Sequence, residues 1–164
     1  MRYLSKSNVR DIKNFYMGEL LDTFSTKSES TMKVFFYKHL TEIDLILTNL
    51  VKSNKELSKI TLLDVGAGLG INCIILKKFF FINCTVIDRL DEFDEIHNRA
   101  IGDDTSLKER LYNFGIEVIC SDFIKNNFDD LNKKYDCVTC FSVIEHFYFS
   151  PKKFLNNFHK FCKK

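Results

Sequence analysis

The chain has 164 residues, 45 % of them apolar, and carries a net charge of +2 from 24 basic and 22 acidic residues. That length accommodates one domain with its own core, and the apolar share excludes a chain that is disordered throughout. The balanced charge argues against a broad nucleic-acid surface, and the longest apolar run is broken by Lys77 and Lys78, so no segment is expected to span a membrane.

Val9, Ile12, Tyr16 and Leu20 recur at three and four residues within positions 1–24, which predicts an amphipathic helix. Positions 25–30 are polar and read as a loop. A second helix is predicted over 31–52, with Phe35, Phe36, Leu40, Ile43, Leu47 and Leu50 as its apolar set. These two helices either cover a sheet face or form a lid over a substrate. In the lid case Tyr3, Phe15, Tyr16, Phe24 and His39 are the wall residues. The division expected is a helical cover or lid over 1–58 and a ligand-binding domain over 59–164.

The stretch 61–70 reads TLLDVGAGLG, a buried strand followed by three glycines at alternate positions. Glycine permits positive φ and lets backbone approach a ligand closely. A helix over 71–81 follows, so the unit is strand, tight turn and helix, the opening of a nucleotide-type site. The next strand, 83–87, ends in Asp88, at the spacing expected of a carboxylate that takes ribose hydroxyls. Phe93, Ile96 and Ile101 give the polar stretch after it one weak helical face. Thr105 is a candidate cap for a helix over 106–113, and Gly115 ends it. Strand three is predicted at 116–120 and leads into Ser121, Asp122 and Phe123. A polar connection over 126–134 leads to strand four at 135–141. The loop 142–150 then carries Glu145 and His146, and Pro151 opens a helix over 152–162.

Strands alternating with helices imply an α/β fold, a doubly wound parallel sheet with covering helices on both faces. Right-handed crossovers bring the carboxyl ends of all strands to one edge, where such folds bind ligands. The glycine turn, Asp88, Asp122 and the loop after Phe141 share that edge. The six cysteines lie mostly in apolar patterns, and positions 1–15 lack the apolar core of a secretory leader. They are expected to be reduced, buried thiols in a cytoplasmic protein. Cys137 and Cys140 have metal-ligand spacing, but residues three apart in a strand point to opposite faces, so no metal site is expected.

LLDVGAGLG, the acid of TVIDR, the CSDF after strand three and YDCVTCFSVIEHF at strand four together resemble the class I S-adenosylmethionine-dependent methyltransferases, in the branch with a VIEH loop that acts on small molecules. The likeness runs from Leu62 to the end of the chain and implies a Rossmann-like fold with S-adenosyl-L-methionine as cofactor. It assigns the methionine part to Asp64 and the backbone of Gly66, Ala67, Gly68 and Gly70. Asp88 receives the ribose hydroxyls, and Asp122 the adenine amino group. Phe123 offers its backbone N–H or its ring, and Phe141 and Ser142 line the cofactor from the strand-four side. The glycine spacing departs from the G-x-G-x-x-G of nicotinamide dehydrogenases, since position 71 is Ile. His146 and Glu145 are candidate bases, or else hold the loop or touch cofactor. No catalytic residue is assigned.

The family sheet has seven strands and four are legible here, so the sheet is expected to be incomplete at its carboxyl-terminal side, as in a truncated product. Strand four would then present an open edge, to be covered by a second copy or a partner chain. The expected acceptor is a small molecule, lipid or sugar, not nucleic acid. The alternative is a non-catalytic module of the same fold that acts through protein contacts.

Overall fold

Strand β1 (Thr61–Val65) holds the centre of a parallel sheet whose order is β3-β2-β1-β4. The structure, a computed structural model, describes residues 2–20, 29–90, 106–126, 128, 132–148 and 150–163. Strand β2 (Asn83–Asp88) pairs with β1 from Thr61↔Asn83 to Val65↔Ile87. Strand β3 (Glu117–Cys120) extends the sheet beyond β2, and β4 (Cys137–Thr139) pairs with the other side of β1. The strand order therefore reverses between β1 and β4, the position where open α/β sheets bind ligands.

Alternation along the strands sends neighbouring side chains to opposite faces. Leu62, Cys84, Val86 and Val118 join one core cluster with the helices α1 (Lys6–Phe15), α2 (Glu29–Leu50), α3 (Ile71–Phe80) and α4 (Leu107–Asn113). Leu63, Val65 and Ile87 join a second cluster with Phe123, Phe128 and, from α5 (Lys152–Phe161), Phe154 and Phe161. The ring centroids of Phe123 lie 5.2 Å from both Phe128 and Phe154. The doubly wound arrangement expected from the sequence is thus present, with helices on both faces.

The helix starts follow local chemistry. Ser5 caps α1 and exchanges bonds with Asn8 in a capping box. One π-helical turn, Tyr16–Leu20, continues α1. Ser106 caps α4 through a capping box with Glu109, one position after the expected Thr105, which lies outside the described residues. The weak helical stretch expected over 93–101 also lies outside them.

The amino-terminal segment is tied to α2 by Asp44. Its carboxylate accepts the backbone N–H groups of Arg2 at 2.7 Å, Tyr3 at 2.8 Å and Leu4 at 3.0 Å. Burial pushes Asp44 up, but these bonds hold it below the ordinary aspartate range.

Strand four is shorter than the predicted 135–141. Before it, the Asp136 carboxylate turns in to take the Thr61 N–H at 3.0 Å, with Lys55 and Lys163 as further partners. After it, the chain leaves the ladder for Ser142, whose φ of 55° no strand adopts. On its outer side Tyr135 forms an isolated parallel bridge with Cys162: Tyr135 donates to the Phe161 carbonyl at 2.8 Å and accepts from Lys163 at 3.0 Å. Among the described residues no ladder continues from that bridge.

All six cysteines are free. Cys120 is exposed, a departure from the expected burial, because it occupies the last position of edge strand β3. Burial pushes the Cys137 thiol up to about 11 and the Cys140 thiol to about 12, which favours the thiol over the thiolate in both.

Candidate active site

The glycine turn leaves β1 with three of its five amides bonded within the protein. The Gly66 N–H is bonded to the Ile87 carbonyl at 2.8 Å and the Gly70 N–H to Ala67 at 2.9 Å. The Ala67 and Leu69 amides have no partner among the described residues. All three glycines are left-handed, with φ of 70°, 54° and 67°. At Gly66 an added Cβ would lie 2.4 Å from Val143, so the loop after β4 packs directly on the turn. The turn and that loop form the two banks of the site.

Asp64 lies under the turn, at 5 % exposure. It is opposite Thr139 in the β1–β4 register, and the Thr139 hydroxyl donates to its Oδ1 at 2.8 Å. Burial is the main force raising its pKa, to about 6, partly opposed by the Thr139 bond. The nearby Glu42 and Asp88 charges add to the rise. A buried carboxylate with no ion pair among the described residues suits a positively charged ligand.

Asp88 ends β2 beside the turn. Its Oδ2 accepts the Gly68 N–H at 2.7 Å and its Oδ1 the Arg89 N–H at 2.6 Å. These bonds aim the carboxylate at the turn. Asp122 begins the segment after β3 as an Asx turn, its Oδ1 accepting from Ile124 and Lys125, both at 2.9 Å. Burial pushes Asp122 up, but those bonds and the Lys125 charge hold it below its ordinary range. The Phe123 ring points into the aromatic core, so its backbone N–H is the part on offer to a ligand. Phe141 is half-buried, and Ser142 is exposed at the mouth.

A group of residues beyond the sequence motifs completes the site. It comes from α2, whose apolar stripe of Phe36, Leu40, Ile43 and Leu47 is interrupted by His39 and Glu42. Asn72, in the first turn of α3, donates from Nδ2 to Glu42 Oε2 at 2.7 Å. Its Oδ1 lies 2.9 Å from His39 Nδ1, which is also 3.4 Å from Glu42 Oε2. Burial raises Glu42, but the bonds from His39 and Asn72 outweigh it and hold the carboxyl below its usual range. Lys38 reaches the opposite bank, its Nζ donating to Ser142 Oγ at 2.6 Å. The available sequence signal was a charged pair within an apolar helical stripe.

Of the other wall residues, Phe15 and Tyr16 are buried and Tyr3 is exposed, while Phe24 lies outside the described residues. Phe15 packs on Phe79 and Phe114, and Tyr16 on Phe36 and His39. Burial pushes the Tyr16 phenol up to about 12. Glu145 and His146 are exposed on a short 3₁₀ turn, Ile144–His146. Among the described residues no group of three or more side chains is arranged to hold a metal ion, and no helix is long and apolar enough to cross a membrane.

Comparison with solved structures shows the same fold. Magnesium protoporphyrin IX methyltransferase from Synechocystis PCC 6803, solved with bound SAH, superimposes with a TM-score of 0.56 at 14 % identity, over 95 % of this chain and 68 % of that one. An S-adenosylmethionine-dependent methyltransferase from Clostridium acetobutylicum gives 0.54 at 18 % identity, over 94 % of this chain and 53 % of that one. Coclaurine N-methyltransferase bound to N-methylheliamine and SAH gives 0.53 at 15 % identity, over 100 % and 50 %. The chain thus spans between half and about two thirds of these proteins. Among curated proteins none matches it. A family model for the methyltransferase domain matches residues 16–164, and the chain belongs to that family.

Proposed function

We propose that this chain binds S-adenosylmethionine at the carboxyl edge of its sheet and serves methyl transfer to a small-molecule, lipid or sugar acceptor in the cytoplasm. One observation carries the reading: two amides without a partner among the described residues, Ala67 and Leu69, flanked by the acids Asp64 and Asp88, at the point where strand order reverses. Free amides at a glycine turn suit a carboxylate, and the buried acid suits the cationic centre of the ligand. Asp88 is assigned the ribose hydroxyls and Asp122, with the Phe123 N–H, the adenine. Phe141 and Ser142 form the bank beside them. The sulfonium, when bound, supplies an activated methyl group, so the protein acts mainly by alignment and by excluding water.

Calorimetric titration with S-adenosylmethionine and S-adenosylhomocysteine tests this. Saturable binding is expected, weakened roughly tenfold in Asp88→Ala by loss of a charged hydrogen-bond acceptor. A folded chain that binds neither ligand refutes the reading.

The outer edge of β4 supports a second reading, a module that works through contact with a second copy or a partner chain. Only the Tyr135–Cys162 bridge occupies that edge among the described residues. Light scattering across a concentration series separates the cases: a monomer at all concentrations argues against self-association there.

A further inference from the structure

The hydrogen bonds of α2 fix the proton of one histidine. Glu42 is held ionised, so its Oε2 can only accept, and the Asn72 amide must present its nitrogen there. The Asn72 oxygen then faces His39 Nδ1 at 2.9 Å and also only accepts. Nδ1 must therefore carry a hydrogen, with Glu42 Oε2 at 3.4 Å as its second acceptor. In the neutral ring this leaves a lone pair on Nε2, which has no partner among the described residues.

The position of this ring matters as much as its tautomer. Asn72 lies two residues beyond Gly70, and the neighbouring Lys38 bonds Ser142 on the far bank. Helix α2 thus crosses the carboxyl edge between the glycine turn and the loop after β4. The His39 side chain is 17 % exposed, with Tyr16 against its ring at 6.1 Å between centroids. His146, in contrast, is exposed on its turn and has no side-chain bond among the described residues.

We infer that His39 Nε2 faces the methyl-transfer position and accepts the acceptor's proton, with Asn72 and Glu42 as positioning residues. This rests on the cofactor reading above. In the step, the acceptor's nitrogen or oxygen bonds the methyl carbon, and the carbon–sulfur bond breaks with its electron pair left on sulfur. The N–H or O–H proton passes to Nε2, and Glu42 stabilises the imidazolium. The acceptor class that follows is an amine or hydroxyl compound that still holds its proton when it binds. A preformed carboxylate needs no such residue.

The test needs no acceptor. Sinefungin carries an amino-substituted carbon in place of the methyl-bearing sulfonium, so its ammonium donates hydrogen bonds from the methyl position. S-adenosylhomocysteine lacks that donor. Both are titrated calorimetrically into the wild type, His39→Ala and Asn72→Leu, with His39→Phe as the variant that keeps a ring against Tyr16. The wild type is expected to prefer sinefungin, and His39→Ala or His39→Phe to lower that preference roughly tenfold, the worth of one charge-assisted hydrogen bond, while S-adenosylhomocysteine affinity stays within about twofold. Asn72→Leu is expected to lower the preference in part, with His39 still present. A wild type without the preference, or an unchanged preference in the His39 variants, overturns the assignment while leaving the cofactor site intact. If neither ligand binds the folded wild type, the cofactor reading fails and this assignment falls with it.

Discussion

Replacing Asp64 by Asn should stabilise the protein at neutral pH. Asp64 is 5 % exposed, has one good hydrogen bond, from Thr139, and sits near the Glu42 and Asp88 charges. Its pKa rises from the ordinary 3.8 to about 6. The native state therefore holds this proton more tightly than the unfolded chain, and stability falls as pH rises between those two values. At about 1.4 kcal/mol per pH unit the ionised carboxylate costs roughly 3 kcal/mol once both states are deprotonated. The Asn side chain keeps an oxygen for the Thr139 hydroxyl and carries no charge. Urea denaturation of both proteins should show Asp64→Asn more stable by roughly 3 kcal/mol at pH 8, with the gap closing towards pH 4. A variant that is less stable at pH 8, or a gap that does not change with pH, refutes the reasoning. A residue that weakens the empty protein is one retained for what it binds.

The same carboxylate links cofactor binding to protons: S-adenosylmethionine should bind more weakly below about pH 6, and binding there should release a proton, seen as a buffer-dependent calorimetric heat that Asp64→Asn abolishes. Gly66→Ala should cost about 1–2 kcal/mol in urea denaturation, from its left-handed φ and the Val143 contact, whereas Gly18→Ala, with nothing within 4 Å, should cost nothing. Asp136→Asn should cost roughly 2 kcal/mol at pH 7, because it uncouples Lys55 and Lys163. Burial pushes Asp136 up, but those partners and Thr61 hold it well below its ordinary range, so its contribution is present above the unfolded value and lost as pH falls. Acid denaturation followed by circular dichroism should accordingly be less steep in the variant.

The site divides into a part written locally and a part written by packing. The β1 range, the glycine turn and the acid at the end of β2 are carried by short-range pattern, since a buried strand and positive-φ glycines leave compositional traces. The polar group of Lys38, His39, Glu42 and Asn72 leaves only a polar break in the apolar stripe of α2. It depends on how α2 lies across α3, which no spacing within either helix specifies. Phe123 illustrates the reverse limit: its place after Asp122 was legible, but the direction of its ring is decided by Phe128, Phe154 and Phe161. β4 is shorter than the apolar run YDCVTCF because Asp136 turns inward to bond β1.

The placement of β1 between β2 and β4 has a consequence for the order in which the molecule assembles. One flank of β1 meets the very next strand, while the other waits for residues 75 positions further on, as in the Thr61–Asp136 bond. Contacts that distant carry a large loop-closure cost and form late. During synthesis the β1–β2–β3 half and its helices can settle while β4 is still in the ribosome. The near bank of the site, with the glycine turn and Asp88, would then exist before the Thr139 bond to Asp64 and before Lys38 finds Ser142. A ligand held by the near bank alone could act as a folding template for the far one, and pulsed hydrogen exchange would register this as earlier protection of β4 when S-adenosylhomocysteine is present.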